Sequence, residues 1–198
     1  MLTLYHSPMS RSSRIIWLLE EIETRYEVVY VDIQRQDGSG QRDVKNLHPD
    51  KKVPALLHDG MLVTESAAIC LYLTDLFPSA NIGFGPNDFE RGPYLTWLFF
   101  YAGEAESALT HKMLGLTDSN PAFANAYHQM VGRLLAALKQ GPFVMGDRFT
   151  AADILFGSMA QYTRQALPAD PLLDAYAKRL SERPAFLRAV AKDSPPAR

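Results

Sequence analysis

The sequence predicts a small α/β domain followed by an all-helical one. Strand-like segments occur at Leu2–His6, Tyr26–Asp32 and in VPALLHDGMLVTES, and nothing beyond residue 88 looks like a strand. The segment PSANIGFGPND, residues 78–88, concentrates proline, glycine and asparagine and reads as a linker. Beyond it every apolar segment has helical length and spacing. The expected organisation is therefore a domain at 1–78, a linker at 79–88 and a helical domain at 89–198.

Each element follows from its residues. Leu2–His6 is a short strand, and Arg11–Glu23 spaces Ile15, Leu18, Leu19 and Ile22 as a helix does. Tyr26–Asp32, YEVVYVD, is the second strand. The polar loop IQRQDGSGQ follows, then QRDVKNL, a short helix candidate. In VPALLHDGMLVTES, Asp59-Gly60 is a hairpin turn between two apolar strands. Ser66–Phe77 is helical, with Ile69, Tyr72, Leu73 and Leu76 on one face and Pro78 as its stop. Further helices are expected near 89–115, 122–140, 151–165 and 171–191.

Composition narrows the function. The chain is 47% hydrophobic and 21% charged, an ordinary balance for a globular protein. A net charge of −2 argues against nucleic-acid binding. No apolar run approaches the ~18 residues that span a bilayer, and MLTLYHSPMS lacks the basic start and apolar core of a secretion signal. The single Cys70 excludes a disulfide framework or a CxxC pair and favours a reducing compartment, most simply the cytoplasm. Cys70 itself lies within an apolar helix and reads as core. The histidines, at 6, 48, 58, 111 and 128, have no metal-ligand spacing, so no metal is expected. No GxSxG elbow, P-loop or GxGxxG is present.

Three places carry candidate chemistry. In HSPMSRSSR, Ser10 stands where a helix begins, with Ser13 three residues on, and a helix cap accounts for one hydroxyl. Capping leaves Arg11 and Arg14 unexplained, because cations in a first turn oppose the helix dipole. They make sense if an anion such as a thiolate visits the helix start, or if buried carboxylates pair with them. At Val53-Pro54, spacing alone favours an ordinary trans proline entering a strand. A cis bond there would turn the Val53 backbone outward, free to pair with an extended peptide. In TESAAI, Ser66 caps a helix whose free N–H groups suit a carboxylate, and Glu65 suits an ammonium group. The three together describe one site for a zwitterionic peptide.

The motifs SRSSRIIWLLEE, HPDKKVPALLHDG, TESAAICLYL and GDRFTAADI, in that order, resemble the cytosolic glutathione S-transferases over essentially the whole chain. The pattern S-R-x-x-R-x-x-W-L-L is similar to serine-type fungal and bacterial members, theta- or zeta-like. The resemblance implies a thioredoxin-like N-terminal domain (βαβ-ββα) that binds glutathione as co-substrate, a helical domain shaping an electrophile pocket, and a homodimer. It implies Ser10 as the hydroxyl donor to the thiolate, Val53 before cis Pro54 against the cysteinyl backbone, and Glu65 and Ser66 at the γ-glutamyl end. His48 and Lys52 fall at the glycyl carboxylate. Tyr5 rivals Ser10, because tyrosine-type classes place their hydroxyl nearby, and Ser12 or Ser13 could replace Ser10. No cysteine lies near residues 7–13, against the cysteine-type classes. Tyr101 and Glu104 are candidates for the electrophile pocket. Thr150 and Asp153 would form a capping box, with Phe149 and Ile154 as its staple, so Asp153 is structural. The expected activity is conjugation of the glutathione thiolate to a small hydrophobic electrophile. Isomerase, reductase or dehalogenase chemistry, or binding without catalysis, are the alternatives.

Overall fold

The structure, a computed structural model, describes residues 1–35 and 37–195. Gln36 in the expected loop and residues 196–198 at the end of the expected helical domain lie outside them. The described chain forms two compact units, Met1–Leu73 joined by the segment from Arg183 onward, and Thr74–Glu182.

The first unit is thioredoxin-like. Strands β1 (Leu2–His6), β2 (Tyr26–Tyr30), β3 (Ala55–His58) and β4 (Met61–Thr64) lie in the order β2-β1-β3-β4. β1 runs parallel to β2 and antiparallel to β3, which pairs antiparallel with β4. Asp59 (φ 47°) and Gly60 (φ 88°) make the tight turn of the β3–β4 hairpin, a left-handed pair that matches the strand twist. β2 stops at Tyr30 rather than Asp32, because β1 ends at its partner His6. QRDVKNL is not a helix: the Asp43 carboxylate accepts from Lys45 N–H at 2.9 Å, a local bond that competes with helical pairing.

Helix α1 (Ser13–Ile22) begins two residues later than the spacing predicts and buries Ile15, Ile16, Trp17, Leu18, Leu19 and Glu20. A one-sided stripe does not explain burial all round. The sequence element that covers the second side is α8 (Pro184–Ala191), which packs on α1 with Phe186 edge-on to Trp17 at 5.0 Å. Arg183 grips Glu21 through two hydrogen bonds of 2.6 and 2.8 Å. Glu20 accepts from Tyr26 Oη (2.6 Å) and Arg188 Nε (2.9 Å), and pairs with Lys192. The expected helix at 171–191 is thus two, α7 (Pro171–Ser181) and α8, separated where Pro184 starts a new first turn. Helix α2 (Ser66–Leu76) keeps Ile69, Cys70 and Leu73 fully buried, whereas Leu76 is 38% exposed, against the expected apolar face.

The second unit is helical: α3 (Arg91–Phe100), α4 (Glu106–Met113), α5 (Pro121–Leu138), α6 (Ala151–Tyr162) and α7. A π-helical turn at Tyr101–Ala105 joins α3 to α4. Residues 79–88, expected to be a linker, are packed into this unit: Ile82 and Phe84 are each 6% exposed. Arg148 donates to Asn81 Oδ1 and Gly83 C=O at 2.7 and 2.6 Å and lies over the Phe84 ring. The capping box at α6 is present, with Asp153 accepting from Thr150 N–H at 2.8 Å and Phe149 and Ile154 both buried. No helix among the described residues is long and apolar enough to cross a membrane.

Candidate active site

Strand register gathers the first-unit candidates at one end of the sheet. Tyr5 of β1 stands opposite Ala55 of β3, and Ala55 opposite Thr64 of β4. Val53 lies two residues before Ala55, Glu65 directly after Thr64, and the Ser7–Ser12 loop directly after β1. Three loops therefore meet along the same edge. The Val53-Pro54 peptide is cis, not the trans form that spacing alone favours. Val53 precedes the β3 ladder, so strand pairing does not use its polar groups. Glu65 is exposed with φ 68°, a left-handed conformation rare for a residue with a side chain, and such outliers cluster at ligand sites. Its carbonyl accepts from Ile69 N–H at 2.9 Å, so α2 opens directly on Glu65 and Ser66.

The serines divide by burial. Ser12 and Ser13 are enclosed, at 0% and 5% exposure, while Ser10 is half-buried at the mouth of α1. Ser10 Oγ donates to Ser7 C=O at 2.6 Å and accepts from Ser12 N–H at 3.2 Å, and Ser13 Oγ accepts from Ser10 N–H at 3.2 Å. The helix cap expected at Ser10 is not formed: α1 starts at Ser13 with Ser12 at its N-cap position, and Ser10 bonds within the loop that precedes the helix. Tyr5, on the opposite face of the strand from His6, packs in an apolar cluster with Val31, Val53 and Ala55. Arg11 is exposed. Arg14 is buried. Burial pushes the Cys70 thiol up to about 12, a core cysteine that stays protonated.

His48 and Lys52 share a loop that Asn46 holds. Fully buried Asn46 donates from Nδ2 to Lys52 C=O at 2.9 Å and accepts from His48 N–H at 3.0 Å. His48 Nδ1 accepts from Asp50 N–H at 3.0 Å, and burial holds the ring below its ordinary pKa while Asp50 and Glu65 pull it up. The Lys52 ammonium is exposed. It lines a recess of about 540 Å³ with Arg35, Arg42, Asp50 and Lys51, four cations against one carboxylate. Arg35 also fixes the β1–α1 loop by donating to Pro8 C=O at 2.9 Å. Sequence reasoning missed Arg35, Arg42 and Asn46, since a polar loop without periodicity gives no sign of which residues turn inward.

In the helical unit Tyr101 and Glu104 do not share a site. Tyr101 is 2% exposed, its ring 5.1 Å from Phe156 and its hydroxyl donating to Glu106 at 3.2 Å. Glu104 is exposed and lines a recess of about 500 Å³ with Leu95, Phe99 and Arg133. Helical spacing puts the two on one face, but the π turn between them shifts the register. Among the described residues, no group of three or more His, Cys, Asp or Glu is placed to hold a metal ion.

Comparison with known proteins gives matches along the chain. Residues 1–75 match the model of the glutathione S-transferase N-terminal domain, and residues 117–188 that of its C-terminal domain. Glutathione S-transferase hmp2 of Hypomyces subiculosus is 35% identical over 76% of this chain and 77% of its own length. The disulfide-bond oxidoreductase YfcG of Escherichia coli is 28% identical over 97% of this chain and 95% of its own. A sphingomonad glutathione S-transferase solved with glutathione superposes with a TM-score of 0.80 at 27% identity, covering 96% of this chain and 98% of that one.

Proposed function

The chain belongs to the glutathione S-transferase family, and from that premise we propose that Ser10 activates bound glutathione for transfer to a small hydrophobic electrophile. The observation that carries this reading is the meeting of Ser10, Val53 and Glu65 with Ser66 at one end of the sheet. Val53 offers peptide groups outside the ladder to the cysteinyl backbone. The α2 N-terminus receives the γ-glutamyl carboxylate and Glu65 its ammonium group. The cationic recess with Lys52 suits the glycyl carboxylate. Of the serines, Ser10 alone is half-buried rather than enclosed, so its hydroxyl can turn from Ser7 C=O to a thiolate. The reference thiol titrates near 8.5, and one hydrogen bond to the anion, worth about 1.5–3 kcal/mol, makes it available at neutral pH. The α1 dipole acts in the same direction. The thiolate attacks an electrophilic carbon, forming the C–S bond.

A homodimer and a cytoplasmic location belong to this reading. The exposed Phe89 and Phe99 of the helical unit, at 95% and 66%, support association. The likeness to YfcG favours a second reading, reductive cleavage of a disulfide. Because Cys70 is enclosed and protonated, the attacking sulfur would again be that of glutathione. A panel of aryl halides, epoxides and mixed disulfides, incubated with glutathione and read by product mass, tests both. Thioether products support transfer, oxidised glutathione from disulfides alone supports the second reading, and no turnover with retained binding leaves a glutathione-binding protein.

A further inference from the structure

The serine-type reading leaves one chemical question: where the thiol proton goes when glutathione binds as its thiolate. Serine cannot keep it, because its hydroxyl neither ionises nor gains a proton near pH 7. The residues behind Ser10 form a continuous path. Ser10 Oγ lies 2.8 Å from Ser12 Oγ, and Ser12 Oγ lies 2.8 Å from His6 Nδ1. Ser12 and His6 are both at 0% exposure, so the path leads inward from the half-buried Ser10.

The far side of His6 fixes its tautomer. Nε2 stands 2.8 Å from the carbonyl oxygen of Asp193, which can only accept, so Nε2 carries the hydrogen. In the neutral ring Nδ1 is then bare and accepts from Ser12. The Asp193 carboxylate is held in place as Oδ2 accepts from Met9 N–H at 2.9 Å. Its other oxygen, Oδ1, lies 3.6 Å from His6 Nε2, buried and without a hydrogen-bond partner among the described residues. A buried carboxylate oxygen in that state is costly unless a cation comes to it. An imidazolium at His6 would be that cation. The other titratable neighbour is Tyr30, whose ring meets His6 edge-on at 5.5 Å, and Arg35 reaches the loop from its outer side at Ser7 and Pro8.

We propose that His6 is the proton acceptor of the thiol, reached through Ser10 and Ser12, with Asp193 stabilising the imidazolium. This rests on the glutathione reading above. The S–H bond breaks and leaves its electron pair on sulfur. Its proton passes to Ser10 Oγ, the Ser10 hydroxyl proton to Ser12 Oγ, and the Ser12 hydroxyl proton to His6 Nδ1. Thiol and imidazole become thiolate and imidazolium with no change in total charge. The relay starts once the Ser10 hydroxyl turns from Ser7 C=O to Ser12 Oγ, 2.8 Å away. The hydrogen-bond chain then runs from Ser10 toward His6 before transfer and from His6 toward sulfur after it, so Ser10 ends by donating to the thiolate. Once the electrophile has consumed the thiolate, the imidazolium yields its proton to solvent. His6 starts neutral at pH 7, because burial holds it below its ordinary 6.5. His6, Ser12 and Asp193 act through Ser10 and are positioning residues for the reaction.

Proton bookkeeping in solution tests this. Glutathione is titrated calorimetrically into the full chain at pH 7 in buffers of different ionisation enthalpy, with S-methylglutathione, which has no thiol proton, as the subtraction. Thiolate is read in parallel by its ultraviolet absorbance. The relay predicts a thiolate band with no net proton released in the wild type. In Ser12→Ala, thiolate formation should instead release about one proton to the buffer per site, or cease at pH 7. His6→Gln, which keeps hydrogen-bonding groups but cannot take a proton, should behave like Ser12→Ala, and Ser12→Ala stands alone if His6→Gln does not fold. About one proton released per thiolate by the wild type overturns the relay while leaving glutathione binding intact. Failure of both ligands to bind overturns the glutathione reading and the relay with it.

Discussion

At the scale of single residues, Ser10 and Glu65 carry the proposed chemistry and are the ones to alter. Ser10→Ala should raise the pKa of bound glutathione by about one to two units, the reverse of a charged hydrogen bond worth about 1.5–3 kcal/mol. Turnover at pH 7 should fall about ten- to a hundredfold with much less change in affinity. Tyr5→Phe should leave the thiol pKa nearly unaltered, since Tyr5 faces an apolar cluster on the other side of the strand. Thiolate absorbance followed against pH in both variants decides between them, and a large shift from Tyr5→Phe alone would reduce Ser10 to a structural loop residue. Glu65→Ala should weaken glutathione binding measured by calorimetry, and equal affinity would remove Glu65 from the site. Ser10, Val53, Glu65 and Ser66 were legible in the sequence because each sits at an element boundary, where capping and turn chemistry leave a signature. Asn46, Arg35 and the His6–Asp193 contact were not, because each works through a partner distant in the chain: His6 and Asp193 are 187 positions apart.

At the scale of elements, α1 and α6 show how buried charge is held. Burial pushes the Glu20 carboxyl up, yet its bonds to Lys192, Tyr26 and Arg188 outweigh that and leave it below its ordinary 4.5. Such a group contributes stability that is present above pH 4.5 and lost as the pH falls through its folded value. Glu20→Gln should therefore destabilise the protein at pH 7, by about 3 kcal/mol in denaturant unfolding, and by less at pH 3. Asp153 runs the other way. Burial raises it to about 6 from 3.8, although Val144, Thr150 and Tyr176 all donate to it. Its contribution is full below pH 3.8 and declines as the pH rises through 6, so the cost of Asp153→Asn should be larger at pH 4 than at pH 7. A cost independent of pH would contradict this assignment. Helix α1 was readable as a helix from its spacing, but its burial on every side was not, since α8 lies more than 160 residues away, as the 162-residue separation of Glu21 and Arg183 shows.

At the scale of the whole molecule, light scattering at micromolar concentration should give a mass near twice 22.1 kDa, and a monomer across that range would count against the dimer. The sequence by itself determined the α/β-then-helical order, the hairpin at Asp59-Gly60 and the capping box at Thr150 and Asp153. These are local properties: periodicity, turn geometry and capping act over a few neighbouring residues, and the chain displays them before it folds. Tertiary structure alone decided that 79–88 packs as part of the helical unit, that the segment from Arg183 onward returns to the first unit, and that Tyr101 and Glu104 part company. It also decided that Val53-Pro54 is cis and that His6 faces Asp193. Those outcomes depend on which distant surfaces bury one another and which buried polar groups find partners, and no local pattern encodes a partner that lies across the fold.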